Sequence, residues 1–176
     1  NSDIFYDVWL LFAPVKQARL DYLAQKTCEM GVKELFPIFT EYTQAKKINI
    51  DRIRSNLIEA AEQCNFNNIP SVNVSNNFNY ILDNWDKFFK ERNVIFCDEK
   101  SNLNPMEVFS SNKKKKIDKW AIIIGPEGGF SDNERNIINK KNNSMSISLG
   151  PRIMRSDTAV VAILAIFQMI IGDWKS

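Results

Sequence analysis

A glycine-rich loop after an apolar run is the first segment whose residue types could support chemistry. The run KWAIII, residues 119–124, leads into the loop GPEGGF, residues 125–130. Glycines allow backbone angles and close approaches that side chains would block. Ser131 and Glu134, three residues apart, match a capping box, so a helix is predicted to begin there. A strand, a glycine loop and a helix start in this order leave room for a ligand beside the backbone.

A second loop places two arginines beside a glycine-proline turn. The run SMSISL, residues 144–149, is followed by Gly150 and Pro151, and then by Arg152 and Arg155 before the last predicted helix. Guanidinium groups bind anions through paired donors and can stabilise negative charge that develops on a substrate. Both arginines are therefore candidates for contacts with an anionic or ionising substrate.

Each loop also has a purely structural explanation. Residues 125–130 fit a tight turn between a strand and a helix, in which Glu127 caps the neighbouring backbone. Arg152 and Arg155 fit surface charges, with Ser156 as the cap of the last helix. A nucleotide-phosphate site at GPEGG is a weaker alternative, because no Gly-Lys-Ser/Thr follows and the loop is not GxGxxG.

The composition excludes several kinds of active site. The 176 residues include no histidine, which rules out Ser-His-Asp triads, Cys-His pairs and histidine-ligated zinc. Cys28, Cys64 and Cys97 are widely spaced and form no metal motif, so we expect no metal and a reducing compartment. With no signal-peptide pattern and no membrane span, a cytoplasmic protein is expected. The net charge of +2 neither requires nor excludes a nucleic-acid partner.

Alternating apolar runs and amphipathic stretches predict how the loops are positioned. Strands are predicted over residues 4–12, 35–39, 94–97 and 120–124. Helices are predicted over residues 15–30, 51–64 and 78–92 and from near Ser156, with Gly31 as a left-handed residue after the first helix. This pattern is typical of an α/β fold with a parallel sheet. Ligands then bind beyond the carboxyl ends of the strands, at the loops that start at Cys97, Gly125 and Leu149.

Two further segments are candidates for contact with RNA or with a second subunit. The run from Lys113 to Lys116 is typical of a solvated loop, with an RNA contact as the less favoured alternative. The last helix is apolar on nearly every face yet too short to span a bilayer. Four of its residues at helical spacing could therefore meet a second subunit: Ile163, Ile166, Phe167 and Ile170.

Taken together, the two loops carry a specific resemblance. The segments IIIGPEGGFSDNE and SLGPRIMRSDTA resemble the bacterial family that methylates N3 of a uridine in 16S ribosomal RNA, within the SPOUT class of knotted methyltransferases. The segments ARLDYLAQKTCEMGV and EAAEQC resemble the same family. The resemblance implies a parallel sheet flanked by helices with a C-terminal deep trefoil knot. It also implies a homodimer whose partner is 16S rRNA or the small ribosomal subunit.

The resemblance further implies S-adenosylmethionine as the cofactor, held largely by backbone groups. Its adenosyl group is expected against five residues of the two loops, with two more closing the pocket: Ile124, Gly125, Ser148, Leu149 and Gly150, then Gly129 and Ile153. Methyl transfer from a sulfonium donor suits a chain without histidine, because the leaving group is already activated.

The catalytic roles follow from the chemistry of uridine. N3 becomes nucleophilic only when its proton leaves, which gives an anion spread over two carbonyl oxygens. The arginine of the family's Leu-Arg-Thr-Glu segment corresponds to Arg155, although the neighbouring residues depart from that pattern. We hypothesise that Arg155 stabilises the anion, that Glu127 orients substrate or accepts a proton through water, and that Arg152 contacts phosphate or base.

Two departures from the family bear on domain organisation and RNA binding. We interpret residues 1–176 as a single SPOUT-like methyltransferase domain, in which the family's N-terminal PUA or OB-like RNA-binding domain is absent. The arginine that commonly follows the EQC segment is replaced by Asn65-Phe66-Asn67. Two alternative functions remain open: a SPOUT methyltransferase acting on another RNA position, such as a ribose hydroxyl, and a non-catalytic module that binds S-adenosylmethionine or RNA.

Overall fold

The structure, a computed structural model, describes residues 6–112 and 118–174. Its strands are β1 (Asp7–Phe12), β2 (Glu34–Phe39), β3 (Ser71–Val72), β4 (Asn76–Asn77), β5 (Asn93–Cys97), β6 (Lys119–Ile124) and β7 (Ser144–Ile147). Its helices are α1 (Gln17–Glu29), α2 (Ile50–Gln63), α3 (Phe78–Asp83), α4 (Trp85–Phe88), α5 (Pro105–Asn112), α6 (Asp132–Asn139) and α7 (Ser156–Ile170). The start of the first predicted strand, Ile4 and Phe5, and the run Lys113–Lys116 lie outside the described residues.

The described strands form one parallel sheet in the order β3-β2-β1-β6-β5-β7, with β4 also paired to β2. The register brings the carboxyl ends of the central strands level. Ile124 at the end of β6 pairs with Phe12 of β1 on one side and with Cys97 of β5 on the other. Cys97 in turn pairs with Ile147 of β7. The loops after β5, β6 and β7 therefore leave the sheet side by side.

Helices cover both faces of the sheet, which explains why the strands are apolar throughout. Alternate residues of β1 point to opposite faces: Leu10 packs with α1, α2, α5 and α7, while Leu11 packs with α3, α4 and α6. Both leucines are fully buried. The predicted α/β fold with a parallel sheet flanked by helices is confirmed, and the deep trefoil knot stays a prediction.

One local prediction is confirmed here and one is wrong. Gly31 has a φ of +76° after α1, as expected of a left-handed residue that ends a helix. The single helix predicted over residues 78–92 is instead two short helices, α3 and α4. The break is at Asn84, whose side-chain amide donates to the carbonyl of Tyr80 and whose backbone leaves the helical region. The short strands β3 and β4 and helix α5 were not predicted, because their apolar patterns are too brief.

A buried arginine ties the strands together at the amino end of the sheet. The Arg92 guanidinium donates to the carbonyl oxygens of Asp7 and Trp120 and to the Asp7 carboxylate, and it lies 3.6 Å from the Trp9 ring centroid. Burial acts to raise the pKa of Asp7, but hydrogen bonds and charge from Arg92 and Lys33 outweigh it and leave that pKa below its usual value. This cluster stabilises the end of the sheet opposite the loops.

None of the helices within residues 6–112 and 118–174 has the length and apolar character needed to cross a lipid bilayer.

Candidate functional site

The two loops singled out in the sequence meet at the start of α7. The hydroxyl of Ser156, which is buried, donates to the carbonyl of Gly125 at 3.0 Å. Ser156 is thus not the cap of α7: Arg155 is the capping residue, and its side chain makes no capping hydrogen bond. The alternative of Ser156 as a helix cap is wrong, because its hydroxyl is committed to the other loop.

A cleft lies between these loops at the carboxyl end of the sheet. All seven residues predicted to hold a cofactor line it: Ile124, Gly125, Gly129, Ser148, Leu149, Gly150 and Ile153. Two of the three predicted catalytic residues, Glu127 and Arg152, line it as well. The loop after β5 contributes Asp98 and Glu99. The sequence predicted that this loop lies at the ligand-binding edge of the sheet, but it did not single out these two residues. The structure therefore brings together residues from three separate loops.

The capping box predicted at the end of the first loop is confirmed and fixes its exit. Ser131 Oγ accepts from the backbone of Glu134, and Glu134 Oε2 accepts from the backbone of Ser131 at 2.9 Å. Phe130, just before it, is buried and contacts the Phe96 ring edge-on at 4.6 Å between centroids. A Cβ on Gly125 would lie 2.6 Å from the Phe130 ring. The loop can thus fold over Phe130 only with a glycine at position 125.

Gly150 presents bare backbone to the cleft. Its φ is +111°, a conformation that favours glycine, and a Cβ built there would meet no atom within 4 Å. The Ser148 hydroxyl lies 3.3 Å from the Gly150 backbone nitrogen and fixes the turn. Ile153 lines the same cleft with 91% of its surface exposed, so it covers little of the cleft in this conformation.

Arg135, which the sequence analysis missed, fixes two of the three loops. Its Nε donates to both carboxylate oxygens of Asp98 at 3.0 Å, and its Nη2 donates to Glu99 at 2.7 Å. Its Nη1 donates to the carbonyl of Phe130. Arg135 and Asp98 are both buried. The sequence did contain one signal for Arg135. It lies three residues before the apolar Ile138, and this helical spacing puts the arginine on the buried face of α6.

Glu127 is paired with an arginine from another element. The Arg19 guanidinium of α1 lies 3.2 Å from a Glu127 carboxylate oxygen, and the Glu127 side chain is half exposed. Within the described residues, no backbone N–H donates a hydrogen bond to the Glu127 carboxylate, so the prediction that Glu127 caps the turn is not supported. Arg19 carried no distinguishing signal in the sequence, because arginines at exposed helix positions are common.

The side chains of Arg152 and Arg155 are exposed and make no hydrogen bond or ion pair with any residue in the described part of the chain. Arg152 lines the cleft, while Arg155 lies between the lining residues Met154 and Ser156 without lining it. Both guanidinium groups are therefore free to contact an incoming molecule, and their geometry also matches that of simple surface charges.

Cys97 ends β5 at the floor of the cleft. Burial, with a further contribution from Asp98, raises the pKa of its thiol to about 12. The thiol is therefore protonated near neutral pH, and a thiolate nucleophile at this position is not expected.

The cleft fits an adenosyl sulfonium. Ile124, Leu149 and Phe130 give it apolar walls for a flat ring, and the bare backbone at Gly150 allows close approach of a ligand. The carboxylates of Asp98, Glu99 and Glu127 lie around the same cleft, but each is paired with an arginine, Arg135 or Arg19, so they add little net charge to it.

Comparisons with known proteins agree with this geometry. A family model described as an RNA methyltransferase domain matches residues 3–168. Ribosomal RNA small subunit methyltransferase E of Buchnera aphidicola from Schizaphis graminum is 34% identical, over 90% of this chain and 63% of its own length. The protein of the same name from Mesomycoplasma hyopneumoniae is 32% identical, over 93% and 70%. The chain thus spans less than two thirds of the Buchnera relative.

Solved structures share the fold. Ribosomal RNA small subunit methyltransferase E from Neisseria gonorrhoeae, bound to S-adenosyl methionine, superposes with a TM-score of 0.84 at 23% identity, over 97% of this chain and 68% of that one. A Legionella pneumophila methyltransferase in complex with the same cofactor gives 0.82 at 27% identity, over 96% and 68%. With the family model spanning nearly the whole sequence, the chain belongs to the RNA methyltransferase family.

Proposed function

We propose that this chain transfers a methyl group from S-adenosylmethionine to N3 of a uridine in 16S ribosomal RNA of the small subunit. The observation that carries the proposal is the cleft formed jointly by the loops after β5, β6 and β7, with two arginines beside it whose side chains are unpaired within the described residues. The relatives named as small-subunit RNA methyltransferases support the same reaction and substrate.

The cofactor would be held by the seven cleft residues that line the two glycine loops, mainly through their backbone. When bound, S-adenosylmethionine supplies a methyl group on a sulfonium, so no acid is needed to activate the leaving group. The structures of the Neisseria and Legionella proteins, which carry this cofactor, support the assignment. The Ser156–Gly125 hydrogen bond would hold the two halves of the pocket at a fixed separation.

Three side chains would act on the uridine. Arg155 would donate hydrogen bonds to one uracil carbonyl oxygen as negative charge develops on losing the N3 proton, which leaves N3 open to the methyl group. Glu127, held by Arg19 at 3.2 Å, would orient the base or accept that proton through a water molecule. Arg152 would contact a phosphate or the base. Each role requires a side chain that the RNA can reach, and the side chains of Arg155, Glu127 and Arg152 all have exposed atoms.

We also propose that the protein works as a cytoplasmic homodimer. The surface that the sequence predicted for the partner needs a correction, because Ile163 and Phe167 are fully buried against the chain's own sheet. Ile166 and Ile170 are only partly buried, and Met169 is 67% exposed. These three residues form the apolar face of α7 that a second subunit would cover. A monomeric mass by analytical ultracentrifugation at micromolar concentration would rule out the dimer.

Transfer of a labelled methyl group tests the function. The chain is incubated with labelled S-adenosylmethionine and small ribosomal subunits that lack the modification, and label in purified 16S RNA is counted. We expect incorporation that requires both the chain and the cofactor. Binding of S-adenosylmethionine by calorimetry without any incorporation would support a non-catalytic binding module instead. A rise in melting temperature with ATP and none with S-adenosylmethionine would contradict the cofactor assignment.

A further inference from the structure

An exposed tyrosine lies at the rim of the cleft on a loop that the methyl-transfer chemistry does not use. Tyr42 follows β2 and is 47% exposed. A Cβ on Gly128 would lie 3.3 Å from the Tyr42 Cβ, so the tyrosine packs directly against the backbone of the glycine loop. Gly128 itself lines the cleft. An aromatic ring is thus presented beside the reaction site with nearly half of its surface open.

The turn that carries Tyr42 is held by a network of hydrogen bonds. Thr40 and Thr43 close it, since the Thr40 backbone donates to the Thr43 hydroxyl at 2.9 Å and the Thr43 backbone donates to the Thr40 carbonyl at 3.2 Å. The Glu41 backbone donates to Glu134 Oε1 at 3.0 Å. Glu134 is buried and uses its other oxygen in the capping box of α6. One carboxylate therefore fixes both the glycine loop and the tyrosine turn.

The same loop carries unpaired positive charge. Lys46 and Lys47 are exposed and form no hydrogen bond or ion pair within residues 6–112 and 118–174. An aromatic ring together with nearby lysines is the combination that holds single-stranded nucleic acid, because the ring stacks on a base and the cations meet phosphates. The backbone of this turn is already fixed by hydrogen bonds. Stacking of a base on the exposed tyrosine ring therefore costs little further conformational entropy.

We propose that Tyr42 is a stacking platform for an unpaired base of the substrate RNA beside the methylated uridine, with Lys46 and Lys47 on the adjoining phosphates. The inference rests on the proposed RNA methyltransferase function and adds a residue that selects and positions the strand. Tyr42 would act on RNA binding and not on the cofactor, because it contacts the glycine loop at Gly128 but is not among the residues that line the cleft.

Substitutions at position 42 separate stacking from other contacts. We measure the Kd for a fluorescein-labelled single-stranded RNA by anisotropy, the KM for unmodified small subunits, kcat, and the Kd for S-adenosylmethionine. Tyr42→Phe keeps the ring and should behave like the parent protein. Tyr42→Leu and Tyr42→Ala should raise both the RNA Kd and KM by about tenfold or more. Their kcat and cofactor Kd should change by less than about twofold.

Matched controls and contrary outcomes are available. Tyr80→Ala removes another exposed tyrosine, on α3, and should leave RNA affinity unchanged. Lys46→Ala with Lys47→Ala should weaken RNA binding and flatten its salt dependence. The proposal would be overturned by an RNA Kd equal to that of the parent protein in either Tyr42→Leu or Tyr42→Ala. It would also be overturned if these substitutions changed the cofactor Kd more than the RNA Kd. Parent protein that binds RNA through Tyr42 but transfers no methyl group would instead refute the proposed function alone.

Discussion

Ser156 donates a hydrogen bond to the carbonyl of Gly125 across 31 residues of chain, and this bond joins the loop after β6 to the start of α7. Neither the Ser156 hydroxyl nor the Gly125 carbonyl forms a hydrogen bond within its own helix or strand here. The serine does not cap its own helix, and the carbonyl lies just beyond the last residue of its strand. The bond fixes the spacing of the two glycine loops, and with it the width of the cleft between them.

Removing that hydroxyl should therefore weaken cofactor binding as well as the fold. Ser156→Ala leaves the buried Gly125 carbonyl without this donor, which costs about 1–3 kcal/mol of stability. We expect the S-adenosylmethionine Kd, measured by calorimetry, to rise about fivefold or more. Ser55→Ala removes a serine that bonds within α2 and serves as the control. Unchanged cofactor affinity in Ser156→Ala would mean that the bond does not set the width of the cleft.

Gly150 offers a test of backbone contact with the cofactor. In Gly150→Val the side chain would project into the open space beside the turn, so the cofactor Kd should rise by about tenfold or more. Part of any effect on stability comes from the φ of +111°, at about 1–2 kcal/mol. Gly31→Ala introduces similar backbone strain far from the cleft, at a φ of +76°. If both variants bind cofactor equally well per folded molecule, Gly150 does not contact the cofactor.

The buried Arg135–Asp98 pair should dominate the stability of this edge of the sheet. Arg135→Met would leave Asp98 as a buried carboxylate without its partner, at a cost of about 3–5 kcal/mol. The exposed Arg54–Asp51 pair is the natural comparison, and Arg54→Met should cost less than about 1 kcal/mol. Urea denaturation gives both values. Equal losses in the two variants would contradict the role assigned to Arg135.

The sequence predicted the sheet, its main helices and the two glycine loops, because hydrophobic periodicity and capping patterns are local signals. It did not predict how the loops are joined. Arg135, Arg19 and the Ser156–Gly125 bond connect residues far apart in sequence, and polar side chains at helix positions carry no mark of their distant partners. The break at Asn84 was missed for another reason: one asparagine bonding back to Tyr80 ended a helix that its apolar spacing would have continued.

Arg155 should separate catalysis from binding. If its guanidinium stabilises charge that appears mainly as uridine loses its proton, Arg155→Ala should lower kcat by about a hundredfold or more with little change in cofactor Kd. Arg155→Lys should restore activity only in part, because an ammonium lacks the planar paired donors. Arg54→Ala, an exposed arginine on α2, is the control. Poor cofactor binding with normal turnover at saturation would place Arg155 in the cofactor pocket instead.

The position of the methyl group on the product nucleoside shows whether the chain methylates N3 of a uridine. Small subunits lacking the modification are treated with the chain and S-adenosylmethionine, and their 16S RNA is digested to nucleosides and analysed by mass spectrometry against synthetic standards. We expect 3-methyluridine, arising from one uridine and absent without the cofactor. A methyl group on a ribose hydroxyl or on another base, with no 3-methyluridine, would contradict it.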